Sequence, residues 1–171
     1  TSAVFAGTAT HAAMQYLPLT APLDEAQAKE YLVSLTESGR ITPEQAEAAD
    51  ASAISWLSQD ALFARMRQAE RLERELPFSY PMEAIQLYGI AAEETVLLQG
   101  VLDACFLEGG EWVIVDYKTD RVRPGESPEQ AAQKHAEQLR LYALALESLT
   151  GRRVKELLVV LLSHRAVVSV R

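Results

Sequence analysis

The sequence predicts an α/β protein: a mixed central sheet flanked by helices, with an added helical segment on its N-terminal side. Three observations carry this. Residues 100–120 alternate apolar and polar on both sides of Gly109-Gly110, the pattern of a two-stranded hairpin. A long helical stretch then leads to the apolar run Lys155–Ser163, the strand–helix–strand order of a crossover unit. Between residues 20 and 72 the apolar spacing is instead helical.

A Gly-Gly pair suits a two-residue turn that needs positive φ. With that turn, Glu108 faces Glu111, and counting back along both strands places Asp103 opposite Asp116. Directly opposed side chains share a face, and two carboxylates there repel. Lys118 returns to that face by the strand period of two, and Val101, Cys105, Trp112 and Ile114 are expected beside it. Two readings follow. A hard divalent cation would reverse the repulsion, since Mg²⁺ takes carboxylate oxygens; a lysine beside it could orient water or stabilise phosphoryl charge. Alternatively the face is solvated, with ordinary Asp–Lys ion pairs.

The remaining elements are placed as follows. Residues 7–17 form a short helix capped by Thr8 or Thr10 and stopped before Pro18, with His11 and Gln15 one turn apart. A helix spans Leu23–Glu37. Thr42-Pro43-Glu44-Gln45 is a capping box with proline at N1, opening a helix to about Leu57. A third helix follows Ser58, with Leu62, Phe63, Met66 and Ala69 inward; Arg65, Arg67, Arg71 and Arg74 alternate with glutamates, as on a solvated face. From Leu72 the period changes to strand. Residues 74–80 form one strand, with Pro77 favouring an edge or bulge, and residues 86–91 and 95–107 form others. Ser127-Pro128-Glu129-Gln130 is a second capping box, opening a helix to about Leu149 that Gly151 ends. Leu139, Ala143 and Leu146 form its core stripe, with Gln138 and Tyr142 one turn apart beside it. Residues 166–170 add an edge strand.

With 171 residues the chain is expected to be one domain, 1–171, in which 20–72 elaborate a core at 72–171. No apolar run approaches the ~20 residues of a membrane span. The single Cys105 excludes an internal disulfide and any four-cysteine zinc or iron–sulfur site in these residues, which fits a reducing, cytoplasmic setting. A net charge of −8 argues against a domain that holds nucleic acid by bulk electrostatics alone. It leaves open a nuclease whose acidic cleft is neutralised by metal.

Several motifs in order carry a resemblance: Gly7-Thr8-x-x-His11, Arg74-Glu75-Leu76-Pro77-Phe78, Gly100-x-x-Asp103, Asp116-Tyr117-Lys118-Thr119-Asp120 and Gln138-x-x-x-Tyr142. The set resembles the nuclease domains of the RecB/AddA family, within the PD-(D/E)XK nucleases, over nearly the whole chain. The resemblance implies a restriction-endonuclease-like fold and metal-dependent DNA exonuclease activity on single strands from unwound duplex, in recombinational repair of double-strand breaks. It implies that Asp103, Asp116, Lys118, Gln138 and Tyr142 are catalytic. His11, Asp103, Asp116 and the carbonyl of Tyr117 are implied to hold Mg²⁺, for which Mn²⁺ can substitute. Glu75 matches a recurrent acidic position of undecided role. No proline precedes the first acidic strand, so the superfamily's literal motif is not met.

The resemblance further implies that the chain is a C-terminal fragment of a larger bacterial, cytoplasmic helicase–nuclease with an AddB-type partner subunit. Cluster-bearing relatives, AddB among them, use cysteines absent here. No Gly-x₄-Gly-Lys-Ser/Thr loop occurs, so any ATP-dependent helicase motor lies outside these residues. A stand-alone nuclease of the same fold and a catalytically silent DNA-binding or scaffold module are the alternatives.

Overall fold

A computed structural model describes residues 2–83 and 95–170. The strand expected at 86–91 lies outside them. The described residues form α1 (Ala3–Met14), α2 (Glu25–Glu37), α3 (Pro43–Ala48), α4 (Ala51–Gln59), α5 (Ala61–Gln68), β1 (Arg71–Glu83), β2 (Thr95–Glu108), β3 (Glu111–Lys118), α6 (Pro128–Gln133), α7 (Ala136–Thr150), β4 (Val154–Leu161), a 3₁₀ turn (Leu162–His164) and β5 (Ala166–Val170). The five strands lie side by side in chain order. β1–β2, β2–β3 and β4–β5 are antiparallel, and β3–β4, joined through α6 and α7, is parallel. The sheet is therefore mixed, as expected of an α/β restriction-endonuclease-like fold.

Each face of the sheet has its own core. Ala104, Phe106, Val113, Val115, Leu158 and Val160 pack under the helical layer, with Met14, Leu32, Ile54, Leu57 and Phe63. On the other face Cys105, Trp112, Ile114, Leu157 and Val159 pack against Ala132, Leu139 and Leu146 of α6 and α7. Burial raises the Cys105 thiol to about 12, which leaves it inert.

Local chemistry explains most element boundaries. Three capping boxes (Asp24/Gln27, Thr42/Gln45 and Ser127/Gln130) satisfy backbone donors that the first helical turn leaves unpaired. Gly151 takes the left-handed conformation that ends α7. Gly109 and Gly110 both have positive φ, 62° and 78°, as a type I′ turn demands. The turn sets the expected register, from Glu108 opposite Glu111 to Ala104 opposite Val115.

Four expectations need correction. Ser2, not Thr8 or Thr10, caps α1, which begins earlier than expected; the two threonine hydroxyls bond back to Val4 and Ala6 carbonyls within the helix. The helix expected from Pro43 to Leu57 breaks at Asp50, whose amide donates to Thr10 Oγ1 (2.9 Å) while its carboxylate caps α4. The helix after Ser127 breaks between α6 and α7 at Lys134-His135, where the His135 ring reaches Asp120. Arg65 is not merely solvated: it bonds Glu108 and Glu156 at 2.8–3.1 Å, tying α5 to β2 and β4, while Arg74 donates to the Leu17 carbonyl. In the last three cases a contact distant in sequence overrides a local pattern.

Gly7 shows where α1 meets the sheet. A Cβ placed there would stand 2.7 Å from Thr119 Oγ1 and 2.9 Å from Thr119 Cβ. Mid-helix glycine costs about 1 kcal/mol relative to alanine, and here it permits the close approach that carries His11 to the sheet. Gly7→Ala is expected to destabilise the protein by about 1–2 kcal/mol in urea denaturation, because overpacking outweighs the propensity gain. It should also weaken Mn²⁺ binding by shifting α1, which a Mn²⁺ titration checks.

Candidate metal site on the central hairpin

Asp103 and Asp116 meet one step beyond the last regular pair of the β2–β3 ladder, Ala104 opposite Val115. There the strands part. Asp103 Oδ2 accepts the Tyr117 amide at 2.8 Å, a side chain standing in for the ladder, while its Oδ1 lies 2.9 Å from His11 Nε2. The two carboxyl groups are close enough for each to shift the other's ionisation. Lys118 Nζ lies 3.2 Å from Asp116 Oδ2, and both side chains are largely buried. That Oδ2 is nevertheless the one buried side-chain oxygen or nitrogen among the described residues without a hydrogen-bond partner, because the lysine approaches within ion-pair distance but outside hydrogen-bond geometry.

The structure adds Glu75. Its φ is +51°, and the β1–β2 ladder passes from Arg74 opposite Ala104 to Leu76 opposite Leu102, leaving Glu75 and Asp103 unpaired. Left-handed backbone is uncommon and costly for a long side chain and concentrates at functional positions. Here it has two consequences. Ligand atoms of His11, Glu75 and Asp103 come within 4.8 Å of one another. The strand faces also exchange at this step: Ala104 packs under the helical layer, yet Leu102, two residues earlier, packs on the α7 side with Cys105. Unbroken alternation predicted Val101 for that face, but Val101 is 48% exposed and Leu102 fills its place. Nothing in the local sequence of Glu75 announces positive φ; only the Arg-Glu-Leu-Pro-Phe resemblance marked the position.

Electrostatics follow from this packing. Burial raises the pKa of Asp103, but the His11 hydrogen bond and charge and the Tyr117 amide outweigh it and hold Asp103 below the ordinary carboxylate range. The same hydrogen bond raises His11, against its own burial. Glu75 is raised by burial and then by the Asp103 charge. Asp116 is pushed up to about 6, by burial first and by Asp103 beside it, with Lys118 opposing. Two carboxylates and an imidazole so close, with the orphaned Asp116 oxygen next to Asp103, form a donor set suited to a hard divalent cation, whose charge would relieve these costs.

The other expected site residues stand around this cluster. The Tyr117 phenol is buried with the helical layer and its ring meets His11 edge-on at 6.0 Å. Gln138 Nε2 donates to Tyr142 OH at 3.1 Å. Tyr142 packs edge-on against Phe78 at 4.9 Å, and its hydroxyl lies against the backbone of Gly100, three residues before Asp103. Gly100 is thus the close approach that lets α7 reach β2. His135 Nε2 lies 3.2 Å from Asp120 Oδ2, fastening the start of α7 to the chain leaving β3; reading the sequence missed this pair, which only the fold brings together.

A mixed sheet with an acidic hairpin, a lysine two residues on and a histidine supplied from an N-terminal helix is an arrangement suited to a divalent metal beside a phosphodiester. The chain belongs to the PD-(D/E)XK nuclease superfamily, whose family model matches residues 2–168. It is similar to an ATP-dependent helicase/nuclease subunit of Pelotomaculum thermopropionicum, at 38% identity over 91% of this chain and 12% of that protein. It is also similar to the like-named protein of Geobacillus kaustophilus, at 39% identity over 88% of this chain and 13% of the relative, and to that of Desulforamulus reducens, at 33% over 96% and 13%. The chain thus spans roughly an eighth of the length of these relatives.

Proposed function

We propose that this chain is the Mg²⁺-dependent deoxyribonuclease domain of a larger ATP-dependent helicase–nuclease, hydrolysing phosphodiesters of single strands released from unwound duplex during double-strand-break repair. The observation that carries the reading is the convergence of His11, Glu75 and Asp103 within 4.8 Å, completed by the buried Asp116 oxygen and Lys118. The names of the similar proteins, and an ATP-binding loop absent from these residues, support a motor elsewhere in the polypeptide. That those proteins are named as subunits supports a second, AddB-type chain in the assembly. No described helix is long and apolar enough to cross a membrane, and the bacterial cytoplasm is the setting this reading requires. The helical layer shares a core with the sheet, which supports one nuclease domain over 1–171, with 20–72 as its elaboration and 72–171 as its catalytic core.

In this reading Asp103, Asp116, Glu75 and neutral His11 hold the ion, with the Tyr117 carbonyl as a further oxygen donor. Bound there, Mg²⁺ or Mn²⁺ supplies Lewis acidity and a water of lowered pKa. Asp103 is kept ionised by the Tyr117 amide and His11. Lys118 stands beside the carboxylates to orient the attacking water and to offset negative charge growing on phosphoryl oxygens. Gln138 and Tyr142, held to each other and to Gly100, position the scissile phosphate from the α7 side. The net charge of −8 makes this cluster repellent to DNA until metal is bound.

The test is cleavage of labelled single-stranded DNA with Mg²⁺, with Mn²⁺ and with EDTA. Cleavage in both metals and none in EDTA is expected, and Glu75→Gln should weaken Mn²⁺ binding in the same preparations. Cleavage persisting in EDTA sinks the mechanism. Strand binding without cleavage would favour the silent-module alternative.

A further inference from the structure

Two cavities, of about 150 and 370 Å³, are lined by residues that follow β3 and by α1 and the 3₁₀ turn. The smaller lies between Gly7 of α1, one helical turn before His11, and Thr119, the residue after Lys118. Arg121 and Asp50 line both.

The chain leaving β3 is pinned on either side of Arg121 by the 3₁₀ turn. Ser163 Oγ donates to the Thr119 carbonyl at 3.2 Å, and the Val122 amide donates to His164 Nε2 at 2.7 Å. Asp50 is neutralised by a two-pronged contact with Arg165 at 3.1 and 3.2 Å. Among the described residues Arg121 has no hydrogen bond or ion pair, and it is exposed. A backbone fixed at both flanks therefore presents one uncompensated guanidinium to two cavities, three residues along the chain from Lys118. The guanidinium's planar fork of donors matches phosphate oxygens.

We propose that Arg121 binds a backbone phosphate of the substrate strand adjacent to the one at the metal site, and so positions the strand for cutting. The inference rests on the nuclease reading but adds a contact which that reading does not contain. Arg121 is a positioning residue: it sets where the strand lies and takes no part in the chemistry.

The experiment measures binding of a short fluorescein-labelled oligothymidylate by anisotropy over a range of salt, with Ca²⁺ present, for the 171-residue chain and for Arg121→Ala, Arg121→Lys and Arg123→Ala. Loss of one phosphate contact lowers the steepness of log K against log salt by about 0.7 on a single strand. Arg121→Ala should show that change and bind about tenfold more weakly, the scale of one charge-assisted contact. Arg121→Lys should keep the slope and recover part of the affinity, and Arg123→Ala, on the same loop, should leave the slope unchanged. In Mg²⁺, Arg121→Ala should raise KM with little change in kcat. No binding by the unsubstituted chain, an unchanged slope in Arg121→Ala, or an equal loss in Arg123→Ala overturns the proposal. A chain that binds with the Arg121-dependent slope but never cuts would count against the nuclease reading alone.

Discussion

Asp116→Asn is expected to abolish detectable cleavage, a loss of at least about 10³-fold, while making the metal-free protein more stable. Both outcomes follow from one buried carboxyl with an orphaned oxygen. As a proposed metal ligand, Asp116 contributes a charge that asparagine lacks, and removing it takes away ion and aligned water together. Without metal the same charge is a burden, since its pKa lies at about 6 rather than the ordinary 3.8. Between those values the folded chain keeps a proton that the unfolded chain has lost. Metal-free stability therefore declines as pH rises through that window and levels off above it. Asparagine removes the burden, for an expected gain of about 1 kcal/mol or more at neutral pH, roughly 2–4 °C in Tm. Metal binding has the opposite dependence: it needs Asp116 ionised and His11 neutral, so Mn²⁺ affinity and cleavage should fall as pH drops below about 6. Thermal melts with EDTA and with Mn²⁺, over a pH series, check the whole set. A destabilised metal-free Asp116→Asn would show that the carboxyl is structural.

Lys118→Met is expected to lower cleavage by about 10²–10⁴-fold while leaving Mn²⁺ affinity unchanged or tighter. Methionine keeps most of the length and apolar stem of lysine but has no cation. The ammonium lies 3.2 Å from Asp116 Oδ2, so it competes electrostatically with a metal there, and its removal cannot weaken the ion's attraction to the carboxylates. Calorimetric Mn²⁺ titration and single-turnover cleavage separate the two effects. Parallel losses in both would assign Lys118 to assembling the site rather than to chemistry. The two substitutions thus differ in a readout that simple misfolding cannot imitate: Asp116→Asn loses metal, whereas Lys118→Met keeps it.

Much of the fold and of the hairpin was legible before any coordinates. The Gly109-Gly110 turn set the register as far as Ala104 opposite Val115, one step short of Asp103 and Asp116, because register in a tight hairpin is a local property of a few residues. The helix starts at Pro43 and Pro128 were legible for the same reason, since a capping box is closed by residues three apart. His11, Gln138 and Tyr142 were reached only by resemblance; their spacing implied helix faces and nothing more.

Tertiary structure decided the rest. His11 lies 92 residues from Asp103 in the chain, and it meets Asp103 because Gly7 lets α1 close on Thr119. No period of two or 3.6 encodes that approach. Glu75 reaches the cluster by adopting a left-handed conformation that local propensity disfavours, which also exchanges the strand faces and moves Leu102 into the place expected of Val101. The fastening of Asp120 to His135, and of the chain around Arg121 to Ser163 and His164, likewise depends on elements that only packing makes neighbours. The sequence by itself determined the hairpin that carries both aspartates and the lysine, and the helix starts at Pro43 and Pro128, because turns, caps and alternation act over a few residues. Which histidine and which glutamate stand around them was decided by the burial of two cores on one sheet, a long-range balance that no short window contains.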